Sequence, residues 1–195
     1  MLTRRHALLL APAGVLAVGM AGALGYARFH PEAAAGGVPI GGPFRLVDGD
    51  GKTVTDGNFR GKWMLVYFGY THCPDACPTA LQDMANAVDD LGGQKKDVAI
   101  VFITVDPERD TPAVMKDYVA AFDAGIVPLT GSAEAVAAAA KEYHVYYAKH
   151  PTKDGGYDMD HSSIIYVMDP QGRFVANFTH ETPPQQIADK LKALV

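Results

Sequence analysis

The chain has 195 residues, of which 48% are hydrophobic, and this length suits about one domain with a sizeable core. Its formal net charge is −5, and because the first 28 residues carry three arginines and no acid, the remainder carries −8. An acidic domain argues against a nucleic-acid partner. Two cysteines are too few for a disulfide scaffold, so they form one pair that is either redox-active or metal-binding.

Residues 1–28 are predicted to be a membrane anchor or a signal segment. Residues 7–26 carry no charge, and as a helix they would span the hydrocarbon core of ~30 Å. Arg4 and Arg5 precede this stretch and favour a cytoplasmic N-terminus. A single span in a bacterial inner membrane would place the domain in the periplasm. Cleavage after residues 21–23 (Ala-Gly-Ala) is the alternative, and it would also deliver the domain to the periplasm.

A linker and then a single domain are predicted to follow. Residues 29–42 are rich in Gly, Pro and Ala, which is typical of a tether, and the domain is expected over residues 43–195. The domain begins with a predicted β-hairpin. Residues 44–47 alternate in polarity, residues 48–51 (Asp-Gly-Asp-Gly) turn the chain, and residues 52–55 return.

The two cysteines, Cys73 and Cys77, lie between a predicted strand and a predicted helix. Residues 63–68 are apolar, aromatic or β-branched and indicate a buried strand. Residues 79–91 have apolar positions at helical spacing, and two glycines follow them as a stop signal. Backbone N–H groups at such a helix start are unpaired, and the helix dipole there favours negative charge.

Two prolines indicate how this turn is built. Pro74 pushes Cys73 towards an extended conformation, and Pro78 is tolerated only in the first turn of a helix. Asp75 is therefore the predicted N-cap residue. Both thiols are expected to converge at the helix start, where the local field lowers a thiol pKa.

A second buried strand is predicted at residues 98–105, which are almost wholly apolar and suit a parallel sheet. Asp106 follows that strand at the same sheet edge as Cys73. It either orients a ligand or partner, or belongs only to a turn and cap cluster. Thr111 is the predicted cap of a helix that runs to about residue 122.

The remaining elements follow from local patterns. Residues 126–130 contain Pro128 and are predicted to be an edge strand. The further predictions are a helix at 133–142, an extended stretch at 145–148, a polar loop at 149–160, a hairpin of 164–168 with 173–178, and a last helix reaching 195. This order predicts an α/β fold in which a mixed sheet carries helices on both faces. Open α/β sheets place their sites at the carboxyl ends of strands.

His161 is the histidine that this arrangement singles out. It follows the polar loop and comes just before the predicted strand 164–168. It is therefore either a ligand that faces the end of another strand or an ordinary histidine at the start of a strand. His72 adjoins Cys73 and is either a turn residue or a further ligand. Met159 offers a thioether two residues before His161. The other histidines lie in polar loops, at element ends or beside the N-terminal apolar run.

Three stretches resemble the signature motifs of the SCO/SenC family, whose members are membrane-tethered, thioredoxin-like copper chaperones for cytochrome c oxidase. They are residues 73–78 (Cys-Pro-Asp-Ala-Cys-Pro), 105–112 (Val-Asp-Pro-Glu-Arg-Asp-Thr-Pro) and 160–162 (Asp-His-Ser). The resemblance covers the chain from about residue 43 to its end, and the first and third motifs together are highly specific. It implies a thioredoxin-like core enlarged by the N-terminal hairpin.

The same resemblance implies that Cys73, Cys77 and His161 are copper ligands. Two thiolates and one imidazole form a soft set that suits Cu(I) and takes Cu(II) with a weak extra ligand. Zinc would also accept this set, usually with a fourth ligand. The leading hypothesis is a copper metallochaperone that turns over no substrate. By the resemblance, it delivers Cu(I) or Cu(II) to the dinuclear copper site of cytochrome c oxidase subunit II.

The alternative is an enzyme, a thiol–disulfide oxidoreductase that reduces the cysteines of that copper site through Cys73 and Cys77. Three residues separate the two cysteines, whereas thioredoxin-type redox motifs have two. His161 also stands where thioredoxin-like reductases typically carry a cis-proline. The sequence does not separate pure copper transfer from a combined copper and redox role. Another copper chaperone or a thioredoxin-like reductant would be a further partner.

Overall fold

A computed structural model describes residues 39–122 and 124–195 of the chain. The predicted N-terminal anchor and most of the predicted linker lie outside these residues. Within the described ranges, no helix combines the length and the apolar character that crossing a membrane requires.

The described residues form a seven-stranded sheet, a separate two-stranded sheet and four α-helices. The strands are β1 (Arg45–Asp48), β2 (Thr53–Thr55), β3 (Trp63–Gly69), β4 (Val98–Thr104), β5 (Val127–Thr130), β6 (Tyr147–Pro151), β7 (Tyr157–His161), β8 (Ile164–Met168) and β9 (Phe174–Thr179). The helices are α1 (Ala76–Asp89), α2 (Pro112–Val119), α3 (Ala133–Glu142) and α4 (Pro184–Lys192).

β3 and β4 lie at the centre of the larger sheet, whose order is β2-β1-β5-β4-β3-β8-β9. They run parallel, with Trp63 opposite Val98 and Gly69 opposite Thr104. Every residue of β3 after Trp63 is buried, as expected of an apolar strand that is covered on both faces. Because β3 and β4 are parallel, their carboxyl ends meet at one edge of the sheet. Residues 70–77, which hold both cysteines and are called the cysteine turn, therefore lie beside the segment that follows β4.

The prediction that residues 126–130 form an edge strand was wrong. β5 lies between β1 and β4, and the edges of the sheet are β2 and β9. The pairing of β1 with β5 involves only Leu129 and Thr130 of β5. Pro128, which has no N–H to donate, lies just outside this paired part and is therefore tolerated in an internal strand.

The predicted polar loop at residues 149–160 is mostly a hairpin, so that prediction was also wrong. β6 and β7 pair antiparallel, with Tyr147 opposite His161. The polar composition concealed these strands, but their pairing places Tyr157, Met159 and His161 on one face of the hairpin. His161 is consequently held by a strand rather than by an irregular loop.

The other predicted elements are confirmed to within a few residues. β1 and β2 form the predicted hairpin, and α4 packs against α1. Thr111 caps α2, since its hydroxyl accepts a hydrogen bond from the Val114 N–H at 3.4 Å. Ser132 caps α3 in the same way through the Ala135 N–H at 3.2 Å.

Candidate metal centre

The cysteine turn joins the end of β3 to the start of α1. Asp75 occupies the N-cap position as predicted, but its carboxylate makes no capping hydrogen bond, so that part of the prediction was wrong. The Cys77 N–H instead donates to the sulfur of Cys73, with 3.5 Å between N and Sγ. A sulfur atom therefore accepts from the first turn of the helix, where backbone N–H groups need partners.

Three donor atoms converge beside this helix start. One side-chain donor atom from each of Cys73, Cys77 and His161 lies within 4.8 Å of the other two. The Cys77 thiol is buried, whereas Cys73 and His161 are partly exposed. Both thiols are free. In the described parts of the chain, this is the one set of three or more His, Cys, Asp or Glu side chains close enough to hold a metal ion.

The imidazole of His161 is held in a defined orientation. Its ring packs edge-on against Tyr67 and Tyr70, with centroid distances of 6.0 Å and 5.8 Å. Its Nδ1 lies 3.3 Å from the carbonyl oxygen of Ser162, which suits an Nδ1–H donor. In that tautomer the lone pair is on Nε2, and Nε2 faces the sulfur of Cys77 at 3.4 Å.

The two thiols differ in acidity. The pKa of the Cys73 thiol is lowered to about 3, mainly because the Cys77 side chain donates a hydrogen bond to it. The backbone N–H groups of Asp75 and Cys77 act in the same direction, while burial opposes them. The pKa of Cys77 is raised by its hydrogen bond to Cys73 and by its own burial. The metal-free pair therefore holds one thiolate, at Cys73, at neutral pH.

Gly69 makes room for the buried thiol. A Cβ atom at this position would lie 2.7 Å from the sulfur of Cys77, and 3.0 Å and 3.1 Å from ring carbons of Phe102 and Tyr67. Carbon and sulfur atoms cannot approach so closely without a shift of the structure. The absence of a side chain at the end of β3 thus allows Cys77 to lie directly against the central sheet.

The candidate residues His72 and Met159 have different surroundings. The ring of His72 is half exposed, and its Nδ1 lies 3.1 Å from the hydroxyl oxygen of Thr71. Met159 is buried and lines a cavity of about 600 Å³ between the β6–β7 hairpin and the start of α3. The His72 ring is not part of the group of converging donor atoms, and none of the three donor residues lines the cavity that Met159 lines.

Asp106 is buried in the turn that follows β4, and its side chain contacts the β6–β7 hairpin. Its carboxylate accepts a hydrogen bond from the Tyr157 hydroxyl at 2.9 Å and is paired with Arg109. Both residues are near the end of β4, whereas Tyr157 begins the strand that ends at His161. Asp106 therefore supports the segment that carries His161 and is not itself among the donors.

The sequence patterns did not single out Asp110, which is fully buried next to the cysteine turn. Its carboxylate accepts hydrogen bonds from the Thr71 N–H at 3.1 Å, the Thr71 hydroxyl at 2.6 Å and the Thr104 hydroxyl at 2.6 Å. A second aspartate so soon after Asp106, close behind a buried strand, is the signal that could have revealed it.

Relatives by sequence support one family. Residues 32–195 match the family model described as SCO1/SenC. The mitochondrial SCO1 homolog 1 of Arabidopsis thaliana is 47% identical over 142 residues, which are 72% of this chain and 42% of the plant protein. The SCO2-like protein of Rickettsia felis is 38% identical over 157 residues, or 80% of this chain and 77% of that protein. The matched part of the chain thus covers less than half the length of the plant relative.

Solved structures agree with the sequence relatives. ScoI of Bradyrhizobium japonicum, solved with copper bound, has a TM-score of 0.75 and 47% identity over 80% of this chain and 99% of that one. ScoI of Arabidopsis thaliana, also with copper bound, has a TM-score of 0.75 and 42% identity over 79% and 96%. The fold is α/β and thioredoxin-like, a mixed sheet with helices, and the predicted family resemblance is confirmed. This chain belongs to the SCO1/SenC family.

Proposed function

We propose that the protein is a copper metallochaperone that binds one copper ion through Cys73, Cys77 and His161. Its acceptor would be the dinuclear copper site of cytochrome c oxidase subunit II. The observation that carries this proposal is the convergence of two sulfur atoms and one imidazole nitrogen within 4.8 Å. Family membership and the copper bound in the ScoI proteins of Bradyrhizobium japonicum and Arabidopsis thaliana support the identity of the metal.

The donor set fits copper chemically. Thiolates are soft ligands that favour Cu(I), and an imidazole nitrogen extends the set towards Cu(II). The His161 tautomer suits this use, because Nε2 faces the thiols while Nδ1–H is directed to a backbone carbonyl. One thiolate is already present at Cys73, so copper binding would displace only the proton of Cys77.

The uneven exposure of the ligands suits a metal that has to leave again. Cys77 is buried against the sheet, whereas Cys73 and His161 lie partly open to solvent. An incoming thiol or imidazole of the acceptor could replace the accessible ligands one at a time, with Cys77 released last. Transfer by ligand exchange of this kind needs no substrate turnover by the chaperone.

A thiol–disulfide oxidoreductase remains the second candidate, and the Cys73 thiolate at the start of α1 favours it. Cys73 would attack a disulfide of the acceptor, forming a mixed disulfide and releasing one acceptor thiolate. Cys77, on losing its proton, would then attack the Cys73 sulfur and release the second acceptor thiolate. The acceptor gains two electrons and the chain keeps a Cys73–Cys77 disulfide, which a thioredoxin-like reductant would have to reduce.

The N-terminal assignments belong to this proposal. Residues 1–28 would anchor the chain in a bacterial inner membrane or be cleaved, residues 29–42 would be the linker, and residues 43–195 the periplasmic copper domain. The uncharged stretch after Arg4 and Arg5 supports this arrangement. Another copper chaperone would then supply the metal on the same side of the membrane.

The two candidate functions differ in their need for His161. If copper delivery is the function, His161→Ala should abolish cytochrome c oxidase assembly at limiting copper, while the purified variant still forms and exchanges a Cys73–Cys77 disulfide. His150→Ala is the matched control, because His150 lies on the same hairpin but is exposed and paired with Asp160. Normal assembly with a His161 variant that no longer binds copper would favour the reductase instead.

A further inference from the structure

The segment that follows β4, residues 106–110, contacts both parts of the chain that carry donor atoms. Within this segment, Asp110 contacts the cysteine side. Its buried carboxylate accepts three hydrogen bonds from Thr71 and Thr104. Thr71 lies two residues before Cys73 in the cysteine turn, while Thr104 is the last residue of β4. The carboxylate therefore ties the cysteine turn to the central sheet. A buried carboxylate with so many donors is costly to leave unpaired, which makes this connection specific.

Arg109, in the same segment, contacts the hairpin that carries His161. Its guanidinium lies over the Tyr157 ring, 3.8 Å from the ring centroid, and its Nη1 donates to the Tyr157 carbonyl oxygen at 3.0 Å. The same guanidinium lies 5.8 Å from the Tyr70 ring centroid in the cysteine turn. It is also ion-paired with the buried Asp106. Arg109 thus lies between the cysteine turn and the hairpin.

The segment itself is fixed to the sheet. The Val105 N–H donates to the Gly69 carbonyl at 2.8 Å, which links the end of β4 to the end of β3. The Thr130 hydroxyl at the end of β5 donates to the Asp110 carbonyl, also at 2.8 Å. Two neighbouring strand ends therefore anchor this segment, and it offers a rigid support between two ligand-bearing parts that are far apart in sequence.

We propose that Asp110 and Arg109 are positioning residues that set the separation between the cysteine pair and His161 before copper arrives. Asp110 holds the cysteine side and Arg109 holds the imidazole side. This inference rests on the proposed function, in that copper is the metal for which the three donors are arranged. Loss of a partner that supports a metal ligand typically lowers metal affinity by about 10- to 100-fold.

Asp110→Asn is the sharpest test of the positioning role of Asp110 on the cysteine side. It keeps the size of the side chain but puts an NH₂ group, a donor, where Thr71 and Thr104 also donate. Asp169→Asn is the matched control. Asp169 is likewise buried, and it accepts hydrogen bonds from the Gln171 and Arg173 N–H groups at 2.9 Å. It follows Met168, which pairs with the first part of β3, so it lies at the end of the sheet remote from the cysteines.

The measurements are Cu(I) affinity by chelator competition, the Cu(II)–thiolate absorption band, and the alkylation rate of Cys73 in the metal-free protein. Asp110→Asn should weaken Cu(I) binding about 10- to 100-fold, shift the band and change the alkylation rate. Asp169→Asn should leave all three unchanged, even if both variants unfold at equally lowered temperatures. Wild-type values for Asp110→Asn, or equal losses in both variants, would overturn the inference.

A separate variant tests the positioning role of Arg109 on the imidazole side. Arg109→Lys keeps the charge but loses the planar fork that contacts Tyr157. It should weaken Cu(II) binding more than Cu(I) binding, because Cu(II) depends more on the imidazole nitrogen. Arg173→Lys, which alters the ion pair with Asp169, is the control and should change neither. Equal weakening of both oxidation states by Arg109→Lys would contradict a role on the imidazole side.

Two other outcomes can be distinguished from failure of this inference. One is a variant that does not fold, and the other is a wild-type protein that binds no copper. If Asp110→Asn does not fold, Thr71→Val removes the 2.6 Å hydrogen bond to Asp110, together with the 3.1 Å contact to the half-exposed His72, and is judged by the same measurements. If the wild-type protein binds no copper, the proposed function fails, but the alkylation rate of metal-free Cys73 still tests the positioning role. An unchanged rate in both the Asp110 and Thr71 variants would then refute it.

Discussion

The sulfur of Cys77 lies 3.4 Å from Nε2 of His161, although the two residues are 84 positions apart in the chain. The first residue belongs to the opening turn of α1, and the second ends the β7 strand of the small hairpin. Their contact brings a helix start and a hairpin end together at the carboxyl edge of the central strands, where α/β sheets commonly carry their sites.

The first prediction concerns stoichiometry and ligand identity. The wild-type domain should bind one copper ion, and Cys73→Ser or Cys77→Ser should abolish tight Cu(I) binding, because a hydroxyl is a poor ligand for a soft cation. Metal analysis of the reduced domain, followed by chelator competition, measures both. Met159→Leu is the control and should bind normally, since none of the three ligands lines the cavity that Met159 lines. Full affinity in Cys77→Ser would remove the site assignment.

The second prediction concerns pH. Because the pKa of Cys73 is lowered to about 3, its thiolate should persist from pH 8 down to about pH 4 in the metal-free protein. An acid with a lowered pKa is ionised at every pH above that value, so alkylation of Cys73 should fall little over this range. A thiol of ordinary pKa, about 8.5, would slow about tenfold for each pH unit. Such a tenfold decline, measured by mass spectrometry of the alkylated peptide, would contradict the prediction.

The third prediction concerns Gly69. Gly69→Ala should destabilise the domain by about 1–3 kcal/mol, as overpacked cores do, and should weaken copper binding, because its methyl group would displace the Cys77 sulfur. Thermal unfolding and chelator competition measure the two effects. Gly93→Ala is the matched control, since a methyl group there would meet no atom within 4 Å. Normal copper affinity in Gly69→Ala would show that the thiol tolerates displacement.

The fourth prediction concerns topology. A reporter fused after Val195 should be active only outside the cytoplasm, because Arg4 and Arg5 precede an uncharged stretch long enough to span a bilayer. Replacing both arginines with glutamate should reduce correct orientation, since positive charges favour the cytoplasmic side. A fusion that is active in the cytoplasm would show that the N-terminal segment has been misinterpreted.

Local patterns predicted those parts of the site that local physics controls. Pro74 and Pro78 limit the backbone on either side of the cysteine turn, so the helix start after Asp75 could be deduced without a fold. The capping chemistry could not be deduced in the same way. The Cys73 sulfur took the hydrogen bond that the Asp75 carboxylate was expected to accept, and this choice depends on where the side chains point in three dimensions.

The strand predictions failed where pairing partners decide the outcome. Pro128 suggested an edge, yet β5 became internal because β1 pairs with it only beyond the proline. The polar residues before His161 suggested a loop, yet β6 and β7 satisfy each other's backbone groups. A strand's position in a sheet depends on its neighbours, and those lie far away in the sequence.

The sequence by itself determined the chemistry available at the site: one pair of cysteines on a strand-to-helix turn and one histidine at the mouth of a strand. It determined the family as well, through three short motifs whose residue types and order are specific. Only the tertiary structure decided that these three donors meet, that Cys77 is the buried one, and that Asp110 and Arg109 hold the two sides. Burial and hydrogen bonding between distant segments arise only when the sheet assembles, so neither has a signal in any local stretch of the chain.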